Sequence, residues 1–411
     1  MRCLIVALAL SLSAPAAALA QTPAPPVPAG QTEADAYTRY ELLEPGTGAF
    51  HILYEVTATT PGATWYFNPI RKGSTASDEH VSDRATGQGL IFDQVSGADA
   101  RGLGLEDADP SVDYIRVRLA RPVPADGGGA RILIEKTYTD ARSYHLDGDE
   151  LVFDRPLGIK RNAVVLPKGW VLTECNYPSQ VLQEPDGRIK VSFRNIGPGE
   201  APLVLRARKV GAALGAGPSS QAEKLDERAH QTRDIVYFLQ PPETHAFRLY
   251  HDYTELRPGV DAYVNVVRTG SRASDPSARD LDTGRVLTAE KLKGEAIKGA
   301  HLDPKELPPI TADTEVVVFR FPAVPQGGST RLRMSETYVD PDSYRLVGEE
   351  LVFHRTFGRP ANAVILPKGW LLTNSSVPAR ISRTPDGLTR LDLDNPRLDE
   401  VDVTITARRE R

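Results

Sequence analysis

The chain has 411 residues, 40% of them hydrophobic and 25% charged, with a formal net charge of −5. A length of this size allows two or three domains, and a mildly acidic balance excludes a nucleic-acid binder that works through a basic footprint. Glycine and proline, 33 of each, favour many turns and short strands over long helices.

Residues 1–20 read as an export signal. Arg2 supplies the positive start, Leu4 to Leu12 form a short apolar run, and Ala18-Leu19-Ala20 offers a small-x-small cleavage site before Gln21. Cys3 precedes the apolar run and is not placed for lipid attachment. Residues 21–34 form a Pro/Ala leader expected to be disordered. After signal cleavage no apolar run reaches membrane-spanning length. One cysteine then remains, Cys175, which excludes an internal disulfide and a thiolate metal cluster.

From residue 35 the chain reads as β-structure. Phe50, Ile52, Tyr54 and Val56 alternate with His51, Leu53 and Glu55, the period of a half-buried strand. Pro61-Gly62 marks a turn, and a polar segment follows, YFNPIRKGSTASDEHVSD. Further on come TYTDARSYHLDGDELVFDR and the phrase NAVVLPKGWVLT, whose first residue is Asn162. Asn162 to Leu166 is predicted as a strand, Pro167-Lys168-Gly169 as a tight turn and Trp170 to Thr173 as the returning strand. Trp170 is expected to plug one end of the core, the alternative being an exposed ligand platform. Pro185-Asp186-Gly187 makes another hairpin, and alternation resumes at Ile189 to Phe193 and Leu203 to Leu205.

The whole pattern then recurs. At an offset of 200 residues, 131–187 matches 331–387 without a gap, so NAVVLPKGWVLT becomes NAVILPKGWLLT at Asn362. At an offset of 197, Tyr66, Asn68 and Arg71 face Tyr263, Asn265 and Arg268. So long a period means duplicated domains and not a solenoid. The expected organisation is a repeat over 35–210, a linker over 211–232 and a second repeat over 233–411. Ser220 with Glu223 gives a capping-box pattern, which predicts a short helix over 221–231. The region 289–304 is the other candidate helix. The fold class is all-β: two tandem homologous antiparallel β-sandwich domains, about ten strands each by turn spacing, joined by a linker with a short helix.

The repeat tests candidate chemistry. No histidine has a histidine counterpart, which excludes a duplicated histidine-dependent site, and no zinc, Walker or nucleophile-elbow motif occurs. No catalytic residue, metal or cofactor is predicted. Asp140/Asp340, Glu150/Glu350 and Asp186/Asp386 do recur and keep a carboxylate-dependent hydrolase with a cleft between the repeats as the alternative. The candidate ligand-binding residues are those of the polar segment: Tyr66, Asn68, Arg71, Ser74, Ser77 and Asp78, with Tyr263, Asn265, Arg268, Ser271, Ser274 and Asp275 in the second copy. Arginine with amide and hydroxyl groups can clasp a carboxylate or a sugar, and an internally bonded loop is the structural alternative.

Tyr40-Glu41-Leu42, the loop Asn68 to Ser74, the turn Asp83 to Gly87 and Pro167 to Trp170 occur in an order that resembles the N-terminal β-domain of gluzincin aminopeptidases of the glycyl type. The resemblance implies a β-domain without the catalytic helical domain or its zinc motif. The chain also looks like exported bacterial proteins built of β-repeats. The expected function is an exported, periplasmic or secreted, non-catalytic binding or accessory protein of the bacterial cell envelope, whose partner is an envelope protein or a glycan.

Overall fold

The computed structural model describes residues 30–210, 225–300, 302–303 and 307–410. The expected signal segment and most of the leader lie outside these residues. Gln31, assigned above to a disordered leader, is ordered. Its side-chain amide bonds both the carbonyl of Phe67 (2.9 Å) and the amide of Phe67 (2.7 Å).

The chain is all-β, as its alternation predicts. In the first repeat a seven-stranded sheet runs in the order Gln180–Gln183, Ile189–Arg194, Arg161–Val165, Glu33–Leu42, Ala49–Ala58, Ala130–Thr139 and Thr75–Asp83. Trp170–Cys175, Ala201–Lys209, Glu150–Leu157 and Tyr144–Asp147 make a four-stranded sheet, and Trp65–Pro69, Asp113–Arg118 and Phe92–Ser96 a three-stranded one. The core lies between the large sheet and the two small ones. At its centre Phe50 meets Phe153 edge to face at 5.7 Å, and Phe247 meets Phe353 in the same way at 5.6 Å in the second repeat.

The second repeat keeps the strand order from Arg380–Arg383 to Arg272–Asp280, and its sheet then continues to an edge at Ala262–Val266. There the small sheet is joined to the large one through Ala278↔Leu287, where the first repeat has a single bridge, Ser82↔Gly89. Among the described residues each repeat holds fourteen strands and not ten. The extra strands include four-residue ones such as Tyr144–Asp147 and Gln180–Gln183, too short to show a period.

The repeated phrase is a strand, a turn and a strand, but not a hairpin. Arg161–Val165 pairs with Glu33–Leu42 in the large sheet, whereas Trp170–Cys175 pairs with Ala201–Lys209 in the four-stranded one. The intervening turn therefore hands the chain from one layer to the other. Gly169 adopts the left-handed φ of 83° that the corner requires. Trp170 and Trp370 are buried in the two cores.

The expected linker helix is absent among the described residues. Residues 221–224 fall outside them, and 225–231 run as a turn-containing strap across the outer face of the first large sheet. Glu227 holds the strap down. It accepts from Tyr37 Oη and Ser192 Oγ, both at 2.9 Å, and pairs with Lys190 at 2.8 Å. A carboxylate with three such partners is fixed by the sheet and not by helix capping. In the region 289–304 the structure has the strand Val286–Lys293 and then one helical turn, Glu295–Lys298. A short helix not foreseen, Gly97–Gly102, is capped by Ser96, whose Oγ accepts from the amide of Asp99 at 3.1 Å.

The repeats meet through reciprocal contacts. The amide of Gly129 donates to Leu281 O at 2.8 Å, and that of Ser329 donates to Ala85 O at 3.2 Å. Gly129 and Ser329 are equivalent positions, so a turn of each repeat rests on a turn of the other, the relation of a two-fold interface. The backbones touch so closely that a Cβ on Gly128 would lie 2.5 Å from Leu281 O, and one on Gly328 2.3 Å from Ala85 O. A salt bridge made once breaks the symmetry. Arg131 grips Asp282 with two nitrogens at 2.6 and 2.7 Å, while Ala85 occupies the position equivalent to Asp282.

Candidate functional site

The polar segments fold into places that explain why they recur. Tyr66 is buried in the core, and its hydroxyl donates to Glu33. Tyr263 is buried likewise. Asn68 accepts from buried Lys136, and Asn265 donates to buried Glu336, at the equivalent position of the second repeat. An asparagine serves both because its amide carries an acceptor and a donor.

Ser74 and Ser271 donate to Asp140 and Asp340, at 3.4 and 3.0 Å. Ser77 with Asp78 and Ser274 with Asp275 form exposed pairs at β-bulges, where Asp78 and Asp275 take φ values of 55° and 50°. Aspartate tolerates this left-handed conformation better than most residues, which gives the Ser-Asp recurrence a backbone cause. Arg71 and Arg268 are exposed and reach the carbonyls of Pro156 and Thr356, at 3.1 and 3.3 Å. The twelve residues do not converge on one cavity.

The recurring carboxylates also stay within their own repeats. Asp140 and Asp340 neutralise buried Arg155 and Arg355 at 3.0 and 3.1 Å. Glu150 pairs with Arg206 at 2.9 Å and Asp186 with Arg188 at 2.7 Å. Cys175 is half-buried, with its thiol donating to Tyr177 O.

Concave surface lies instead in the seam between the repeats. Two cavities of about 640 and 610 Å³ adjoin there and share Asp35, Arg131, Arg161 and Arg331. Asp35 belongs to the first repeat, yet its side chain crosses to Arg331 of the second. A bulge between Ala34 and Tyr37 makes this possible. Asp35 has a φ of 58° at that bulge, which re-aims its carboxylate out of the strand's alternation. Arg161 bonds the carbonyl of Asp35, and the same Arg331 nitrogen lies 4.0 Å from Asp234.

The two carboxyls are shifted in opposite directions. Burial raises the Asp35 carboxyl, but the charges of Arg331, Arg161, Arg194 and Arg131 outweigh it and hold the group below its ordinary value. Burial and the charge of Asp35 push the Asp234 carboxyl up. Such divergence is what an acid and a base in one site require.

The larger cavity is dominated by guanidinium groups. Arg84, Arg131, Arg161, Arg228, Arg233, Arg257, Arg331 and Arg359 line it, and four carboxylates, Asp35, Glu55, Asp226 and Glu255, do so as well. The strap closes one side, with His230 3.4 Å from Glu55 and its ring 4.6 Å from that of Tyr37. Sequence reasoning missed this site because most of its residues are unique to one repeat. One signal was available: Arg131 and Arg331 recur as charges among the apolar residues of a strand.

Among the described residues no cluster of three or more histidine, cysteine or acidic side chains could hold a metal ion, and no helix is long and apolar enough to cross a membrane.

No protein-family profile matches the chain, and no curated protein matches it. Among solved structures, an M1 zinc metallopeptidase from Deinococcus radiodurans is 14% identical, with a TM-score of 0.29 over 44% of this chain and 42% of its own. A substrate-bound mutant described as the same type of enzyme, from the same organism, is 13% identical with a TM-score of 0.30. The collagen adhesin of S. aureus is 8% identical, with a TM-score of 0.17 over 79% of this chain and 85% of its own. The match thus spans 42% of the metallopeptidase's length, and likeness at this level carries no argument about activity.

Proposed function

We propose that this is an exported, non-catalytic binding or accessory protein of the bacterial cell envelope, with the seam between its two β-sandwich repeats as the ligand site. The observation that carries the reading is the cavity of about 640 Å³ walled by both repeats and the strap, with more guanidinium than carboxylate groups on its surface. Ligand pockets commonly sit at such domain interfaces, where a few polar groups converge. The apolar run Leu4 to Leu12 supports export, and the partner is an envelope protein or glycan.

The test is capture from an envelope extract with three chains: wild type, Arg233→Gln/Arg359→Gln, and Arg71→Ala/Arg268→Ala. The expected result is a partner held by the wild type and the loop variant and lost from the seam variant. Loss from the loop variant alone would move the site to the exposed polar segments. Equal capture by all three removes both surfaces from consideration.

A second reading, a carboxylate-dependent hydrolase acting in the same cleft, is favoured by one observation. Asp35, held ionised, and Asp234, its carboxyl pushed up, meet at the same arginine. On this reading purified protein turns over a chromogenic ester or glycoside, and Asp35→Asn abolishes the turnover. No turnover across a panel of both substrate types ends that reading.

A further inference from the structure

We infer that the wall of the larger cavity formed by Arg228, Arg233 and Arg359 is a binding site for a phosphate-type oxyanion, a compact group carrying two or more negative charges. This deepens the seam reading above and rests on it.

Arg228 belongs to the strap and is only 7% exposed. Its guanidinium reaches neutral acceptors alone: Gln231 Oε1 at 3.3 Å, Gly358 O at 3.1 Å and Asn395 O at 3.3 Å. Its Nε is buried without a partner, as is that of Arg233. Arg233 lies over the ring of Tyr253 at 4.5 Å, and Arg359 meets the Tyr263 hydroxyl. Among the described residues no carboxylate is within ion-pair distance of any of the three. Elsewhere in the seam the arginines are compensated: Arg84 by Glu55 at 3.4 Å, Arg131 by Asp282 at 2.6 Å, Arg331 by Asp35.

The three cations also feel one another. Burial and the charge of Arg233 pull Arg359 below its ordinary value, and burial with the charges of Arg359 and Arg194 does the same to Arg228 despite nearby Asp394. Behind them His251 is buried with its Nε2 unpartnered. Its imidazole is held neutral by burial and by Arg233, Arg359 and Arg331. Burial is the larger cause, and the three cations add to it.

Uncompensated charge beside low-dielectric protein is costly, and several cations around one cavity attract an anion strongly. Guanidinium forks match phosphate oxygens in pairs, which a point charge cannot do. The site belongs to the strap and the second repeat: Arg233 faces Ala36 and Arg359 faces Ile159 in the first copy. A single oxyanion site per chain is therefore expected, not two.

The experiment is isothermal titration of the purified chain with pyrophosphate and with inorganic phosphate in chloride buffer. The expected result is saturable binding at one site, weakened at least tenfold in Arg359→Gln and in Arg233→Gln, and unchanged in Arg116→Gln, whose charge pairs with Asp93 away from the seam. Arg228→Gln is less informative because Arg228 also ties the strap to the second repeat, so far-UV circular dichroism accompanies every variant. Sedimentation with phosphatidic acid vesicles then separates the sources. Binding to vesicles that is lost in Arg233→Gln/Arg359→Gln assigns a lipid phosphate, and pyrophosphate binding without vesicle binding assigns a soluble one. Absence of saturable binding of either phosphate at millimolar concentration, or equal binding by all variants, overturns the inference. Partner capture that still depends on the seam would in that case leave the broader reading standing.

Discussion

Asp340→Ala is expected to destabilise the second repeat by about 3–5 kcal/mol, read as a fall in the urea midpoint. Asp340 is buried and pairs with buried Arg355 at 3.1 Å. That guanidinium is wedged among rings, 5.2 Å from the centre of Phe247 and 5.8 Å from those of Tyr237 and Tyr338. Removing the carboxylate leaves a buried cation with aromatic faces but no counter-charge. It also strips Ser271 Oγ and the amide of Ser343 of their acceptor, each at 3.0 Å. Arg355→Met added to Asp340→Ala is expected to recover much of the loss, since no uncompensated charge is then left in the core. A double variant as unstable as the single one contradicts this account. Burial alone would raise the Asp340 carboxyl, but the bonds from Ser343 and Ser271 and the Arg355 charge outweigh it and hold the group below its ordinary value of 3.8. Its contribution is therefore complete above that value and is lost as pH falls through the lower folded one.

Lys136→Met is expected to stabilise the first repeat by about 2–4 kcal/mol at neutral pH, and Glu336→Gln the second by about 1–3 kcal/mol. The two residues occupy one position of the repeat, on the core-facing side of equivalent strands, with opposite charge types. Burial lowers the Lys136 ammonium to about 7. Burial also raises the Glu336 carboxyl to about 7, against hydrogen bonds from Asn265 and Tyr338. The signs then differ. Between its folded value and 10.5, Lys136 carries fewer protons when folded than when unfolded, so its cost is relieved as pH rises through that window. Between 4.5 and its folded value, Glu336 carries more protons when folded, so its cost appears as pH rises. Urea melts in mild acid, at neutrality and in mild alkali should therefore show a minimum near neutrality from this pair. Lys136→Met should remove the alkaline recovery and Glu336→Gln the acidic one. Unchanged pH slopes in both variants would show that neither group titrates as its burial demands.

The fold was legible because alternation and turns are local, and the duplication allowed one copy to check the other. Four-residue edge strands were not, because they are too short to carry a period. The candidate site was less legible for a related reason. Selecting polar residues that recur selects those the fold needs twice. Asn68 recurs because it can accept from lysine in one repeat and donate to glutamate in the other, and Asp78 recurs because a bulge demands a left-handed residue. Asp282, Arg233 and Arg359 do not recur, so the comparison that revealed the fold filtered out the seam. Asp35 stood at the presumed edge of the repeat, and nothing in its neighbours announces the bulge that turns it outward.

The reciprocal resting of one repeat's turn on the other's has a further consequence. Two separate copies arranged in this way would form a homodimer, obliged to present each residue of the interface twice, once on either side of the axis. A covalent tandem escapes that obligation. Each half can mutate alone while the shared backbone contacts keep the halves aligned, and a strap drawn from the connecting segment can be laid on one side only. The single Arg131–Asp282 clasp and the one-sided guanidinium wall are arrangements that a symmetric pair of identical chains could not encode just once.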